Sequence, residues 1–173
     1  MINFFKKILD KIFRKTPKYS YCLNCNQKVP YQKTCPFCTS QTIKIIERSE
    51  CFEIRQPSGG DFMMEKFPSK TMFNWNDAKL HAQNLKKGGY SKGWRLPDRK
   101  ELQTIFQIKD ICKIDESLEW FWSSDTLPNN QNRAWYMIMK DGNLDDDDKS
   151  HELYACCVKW KNLFKGENLW LTQ

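Results

Sequence analysis

Three features of the sequence predict an α+β fold with two helices, a small antiparallel sheet and a separate cysteine-rich module. Cys22/Cys25 and Cys35/Cys38 form two pairs at metal-knuckle spacing. Residues 88–102, G-G-Y-S-K-G-W-R-L-P-D-R-K-E-L, set a glycine turn, an extended segment and a helix start side by side. Beyond them, short apolar segments bounded by polar turns read as strands.

The chain of 173 residues suffices for one medium domain and a small module. Its net charge of +7 is unevenly placed. Residues 1–50 hold ten Lys/Arg against three Asp/Glu, while the remainder balances at eighteen of each. An electrostatic partner should therefore meet the N-terminal part.

Residues 2–15, within a first unit spanning 1–17, predict an amphipathic helix. Phe4, Phe5, Ile8, Leu9, Ile12 and Phe13 fall on one face, and Lys/Arg fill the other. Two occupants fit the apolar face: an anionic membrane surface, with the lysines meeting headgroups, or a protein groove. Lys6, Lys7, Asp10 and Lys11 interrupt the apolar residues, so no secretory leader or bilayer-spanning segment is expected here. Eight cysteines without an export signal point to metal ligation and free thiols. The expected location is cytoplasmic, or peripheral on the inner face of a membrane.

The second unit, 18–48, is expected to be a zinc ribbon. Cys22, Cys25, Cys35 and Cys38 supply four thiolates at the corners of a tetrahedron, the arrangement structural Zn²⁺ prefers. A four-cysteine site leaves no open coordination position, so its role is structural. So short a segment has little core, and the metal should supply much of its folding free energy. Residues 42–46 are read as the strand that completes the ribbon. Nucleic acid is the alternative partner, because Lys18, Lys28, Lys33, Lys44 and Arg48 stand near Tyr19, Tyr21, Tyr31 and Phe37. Against it, four thiolates and one Zn²⁺ sum to about −2, and no dense basic run is present.

The third unit, 49–173, carries the main fold. Residues 51–55 predict a strand, Pro57–Gly60 a turn, and the Phe/Met-rich stretch 61–73 a packed irregular segment. A helix over 75–86 opens at the N-cap Asn74 and buries Trp75, Ala78, Ala82 and Leu85; Gly88 and Gly89 are read as ending it. Pro97 holds Leu96 extended, and Asp98 with Glu101 form a capping box for the second helix. Arg95, set in an apolar segment, should make a partly buried ion pair or bond backbone carbonyls. Strands follow at 121–124, 133–139 and 151–160. A polar loop at 125–132 contains Asn129, Asn130, Gln131 and Asn132. Asp145–Asp148, including Asp145 and Asp146, are read as a solvated acidic loop.

Asn74-Trp75-x-x-Ala78, the 88–102 block, Trp122-Ser123-Ser124, Ala134-Trp135-Tyr136 and Cys157-Val158 together resemble the Lcl C-terminal domain family. The resemblance covers roughly residues 71–160. It implies a C-type-lectin-like scaffold related to the formylglycine-generating enzymes. Partner-binding loops at Asn129–Asn132 and around Asp145 and Asp146 follow by that analogy, for a protein or a glycan. Relatives commonly carry a cysteine at the position of Ala82, bridging to the one matching Cys157; alanine here leaves Cys157 without that partner. A scaffold does not fix a function. Cys156 and Cys157 invite an enzyme reading of the formylglycine-generating type. However, adjacent strand residues face opposite ways, and neither His81 nor His151 sits in a nucleophile–base motif. The sequence therefore predicts a zinc-stabilised, non-catalytic binding or adaptor protein.

Overall fold

The computed structural model describes residues 19–25, 27–30, 34–56 and 59–160. The expected helix at 2–15, with Phe4, Phe5, Ile8, Leu9, Ile12 and Phe13, lies outside the described residues, as does the tail from 161. Among the described residues the elements in chain order are β1 (Tyr19–Cys22), β2 (Lys28–Pro30), β3 (Thr42–Glu47), β4 (Cys51–Arg55), β5 (Phe62–Glu65), α1 (Trp75–Asn84), β6 (Trp94–Arg95), α2 (Arg99–Cys112), β7 (Trp120–Leu127), β8 (Asn130–Ile138), β9 (Leu144–Asp148) and β10 (Val158–Trp160). The fold is α+β, with two helices and antiparallel sheets. None of these helices is long and apolar enough to cross a membrane.

The sheet is larger than the small one expected. Seven strands run in the order β2-β1-β3-β4-β5-β10-β6, and a second sheet holds β7-β8-β9. The reason lies in β3, T-I-K-I-I-E. It pairs with β1 on one side (Tyr21↔Ile43, Cys22↔Thr42) and with β4 on the other (Lys44↔Arg55 through Glu47↔Phe52). Its β-branched residues suit a pleated strand, and all but Glu47 are buried. One strand thus serves both the cysteine module and the main domain.

Two apolar layers cover the sheet. On one face Ile43, Ile45, Ile54, Phe62 and Met64 meet Leu102, Ile105 and Ile108 of α2. On the other, Met63 meets Trp75, Ala78 and Ala82 of α1, together with Trp94, Leu96 and Trp122. Strand alternation sends Phe62 and Met64 of β5 to the first layer and Met63 to the second; just before β10, Cys156 packs in the first and Cys157 in the second. Burying a side chain such as Ile105 contributes about 2 kcal/mol, and Ile105→Ala would cost roughly 2–5 kcal/mol. Two indoles anchor the second layer to backbone carbonyls: Trp75 Nε1 donates to Ser123 O at 2.8 Å and Trp122 Nε1 to Phe73 O at 2.9 Å.

Both helix starts follow the expected chemistry. The Asn74 side chain accepts from Asp77 N, and Asp98 and Glu101 complete a reciprocal capping box. Arg95 makes both expected contacts: two parallel bonds of 2.7 Å to the Glu101 carboxylate and one of 2.9 Å to Leu96 O.

Four expectations are corrected. Helix α1 ends at Asn84 because Leu85 turns extended; Gly88 and Gly89 instead form the turn closed by the Lys87–Tyr90 bridge. Part of the 61–73 stretch is a wholly buried strand, β5, since its Phe62, Met63 and Met64 supply both layers. Residues 125–132 are no loop. β7 runs to Leu127 and β8 starts at Asn130, so Asn129 lies in a tight turn while Asn130, Gln131 and Asn132 stand exposed at the start of a strand. Asp145 and Asp146 likewise belong to edge strand β9, where Arg133 pairs with Asp146 and backbone pairing to β8 holds the acidic run extended. Charged side chains on an edge strand also discourage unwanted sheet pairing.

Candidate metal centre

Two hairpins of the same construction bring the four cysteines together. In the first, Tyr21 pairs with Lys28 and Cys22 N donates to Gln27 O at 3.0 Å. In the second, Thr34 bridges Gln41 and Cys35 N donates to Ser40 O at 2.8 Å. Each turn therefore presents its first thiol from the strand end and its second from the loop. Thr39 adopts φ 58°, a left-handed conformation that closes the second turn directly after Cys38.

The four Sγ atoms lie within 4.8 Å of one another. Cys22 and Cys38 are 3.3 Å apart, Cys25 and Cys35 3.6 Å, and Cys25 and Cys38 3.7 Å. These separations exceed a disulfide bond by well over 1 Å. A tetrahedron with Zn–S near 2.3 Å has edges of about 3.8 Å, so the donor set suits a tetrahedral thiophilic ion. The cluster could hold a metal ion through all four sequence-predicted residues.

The electrostatics of the thiols fit that role. Hydrogen bonds from the Ser40 side chain and backbone, then from Cys22, draw Cys38 down to about 6. At Cys25 a backbone hydrogen bond from Gln27 favours the thiolate, yet desolvation and the three neighbouring thiols push it up to about 12. Four sulfurs this close cannot all ionise without a cation among them. Among the described residues, the module's own apolar cluster is Cys22, Val29 and Cys35, with Cys25 and Cys38 packed against them.

The remaining cysteines are buried. Desolvation pushes Cys112 up to about 12 and raises Cys51, Cys156 and Cys157 above their ordinary range, so these thiols stay protonated. His151 pairs with Asp147 at 2.8 Å on the surface, and Lys149 reaches Gln131 O. His81 lies against the Phe73 ring, 4.7 Å between centroids. The sequence did not reveal that His81 and Glu65 converge on Cys157. Glu65 ends a segment read as irregular, and His81 reads as one helical residue among many. The only sequence signal was Cys157 lacking its expected partner.

A family model described as the Lcl C-terminal domain matches residues 39–159. All four clustered cysteines precede that match, whereas β3 lies within it. No curated protein matches the chain significantly.

Proposed function

The chain belongs to the Lcl C-terminal domain family, and on that premise we propose that it is a zinc-stabilised, non-catalytic binding protein whose lectin-like domain recognises a protein partner. The ribbon's metal is Zn²⁺, held by Cys22, Cys25, Cys35 and Cys38, and its role is to fold the module that extends the domain's sheet. The amphipathic segment 2–15 tethers the protein at the cytoplasmic face of a membrane.

The observation carrying this reading is the state of the sulfur chemistry. Among the described residues, four thiols form a closed donor set and the other four are buried. Exposed polarity gathers instead at the β7–β8 tip and along β9: Asn129, Asn130, Gln131, Asn132 and Asp145. An acidic edge strand favours a cationic protein segment over a polyanionic glycan or nucleic acid, which like-charge repulsion would disfavour.

The test is affinity capture on the full chain, with an Asn130→Ala/Gln131→Ala/Asp145→Asn variant of unchanged melting temperature beside it. A protein retained by the wild type and lost by the variant supports the reading. Retention independent of these residues, or capture of nucleic acid that weakens on neutralising Lys28, overturns it.

A further inference from the structure

We propose that Glu65, His81 and Cys157 form a second, mixed-donor site for a borderline transition-metal ion such as Zn²⁺, separate from the ribbon and set inside the main domain. One ligand atom from each of the three residues lies within 4.8 Å of the other two. They come from three elements: the end of β5, the inner side of α1, and the segment leading into β10. Carboxylate, imidazole and thiolate are each ordinary zinc donors, and three protein ligands leave a fourth position for water.

Three observations support the site beyond proximity. First, His81 Nε2 is buried and has no hydrogen-bond partner. A stranded imidazole nitrogen is destabilising unless something accepts its lone pair, and a metal does so. Second, the carboxylate is already oriented. Glu65 is wholly buried; its Oε2 receives Lys87 Nζ at 2.7 Å and its Oε1 receives Cys157 N at 2.7 Å. A carboxylate has about four lone-pair directions, so a further ligand is accommodated. These contacts are the outer hydrogen bonds that metal ligands usually require. Third, the charges close: Zn²⁺, one thiolate, one carboxylate and a neutral imidazole sum to zero, beside the single Lys87 cation. Binding exchanges the Cys157 thiol proton for the metal and releases that proton to solvent. With Cys157 fully buried, the chemistry favours a structural clamp of α1 onto the sheet over a reacting thiol.

Zinc stoichiometry of the full chain, purified without chelator, tests the site, with Co²⁺ titration as spectroscopic readout. Wild type should hold two zinc ions per chain, Cys22→Ser should retain one, and His81→Gln should lose one while keeping the sulfur-rich ribbon spectrum. A single zinc surviving Cys22→Ser but lost in His81→Gln upholds this site and removes the ribbon's. A single zinc unchanged by His81→Gln overturns it. If neither variant folds, the wild-type titration decides: a second Co²⁺ species of weaker sulfur charge-transfer absorption upholds the site, and saturation at one equivalent overturns it.

Discussion

Cys22 stands directly opposite Thr42 across the β1–β3 ladder, so a thiol of the four-cysteine cluster lies across from the neighbour of the buried core residue Ile43. The four-cysteine module is therefore built into the domain's sheet, and disturbing the thiols should be felt in β3.

Loading the ribbon should release protons. Cys38, drawn down to about 6, is largely ionised at pH 7.5, whereas Cys25, pushed up to about 12, is not. Protons should therefore leave as zinc binds at the four-cysteine site, that of Cys25 among them. Because protons compete for the same sulfurs, zinc affinity should fall as pH falls. Calorimetry in buffers of different ionisation enthalpy reads the proton count, and a value near zero would contradict the ligand set.

The Arg95–Glu101 pair joins β6 to the cap of α2. Glu101 is nearly buried and Arg95 about a quarter exposed. Glu101→Ala leaves Arg95 without its carboxylate and removes half of the capping box. Discounted for that exposure, the loss should be roughly 2–4 kcal/mol by urea unfolding. Glu101→Gln keeps an acceptor for Asp98 N and should cost less; equal costs would show that the charge contributes nothing.

Gly142 turns β8 into β9 at φ 79°, with its N–H donating to Ile138 O at 2.8 Å. A Cβ there would lie 2.5 Å from Phe106 Cε1 of α2. Alanine thus combines backbone strain with overpacking, and Gly142→Ala should destabilise by roughly 2–4 kcal/mol. An unchanged melting temperature would mean that α2 does not press on this hairpin.

His151 is held above its ordinary value by its hydrogen bond and charge contact with Asp147. A raised folded value means that the pair stabilises fully below the unfolded pKa, while Asp147 stays ionised, and that the contribution fades as pH rises through the folded value. Both groups are partly or largely solvent-facing, so the stability change is small; the NMR titration midpoint is the readout. It should lie above about 6.5 and return toward it in Asp147→Asn.

The tether at residues 2–15 should make the full chain float with anionic vesicles, and aspartate at Phe4, Phe5 and Ile8 should release it. Equal flotation of both proteins would leave the helix to a protein groove.

Local chemistry in the sequence was readable, and long-range pairing was not. The capping box at Asp98 and Glu101, the N-cap Asn74, the Arg95 contacts and the four-cysteine cluster all depend on residues a few positions apart or on fixed motif spacing. Where distant segments meet, the reading failed. Phe62–Glu65 showed no alternation because both faces of β5 are covered, and such a strand does not announce itself. Asp145–Asp148 has no strand signature of its own; it is strand only because Arg133 and the β8 ladder supply partners. The Glu65–His81–Cys157 cluster gathers side chains up to 92 residues apart, beyond the reach of any motif.

Amide hydrogen exchange on the zinc-loaded chain and on its Cys25→Ser/Cys38→Ser variant tests the central claim most directly. Protection should collapse in β1 and β2 and fall at Ile43 and Ile45 of β3, while β7 and β8 keep theirs. Undiminished protection across β1 and β3 in the variant would contradict a metal-organised ribbon joined to the domain through a shared strand.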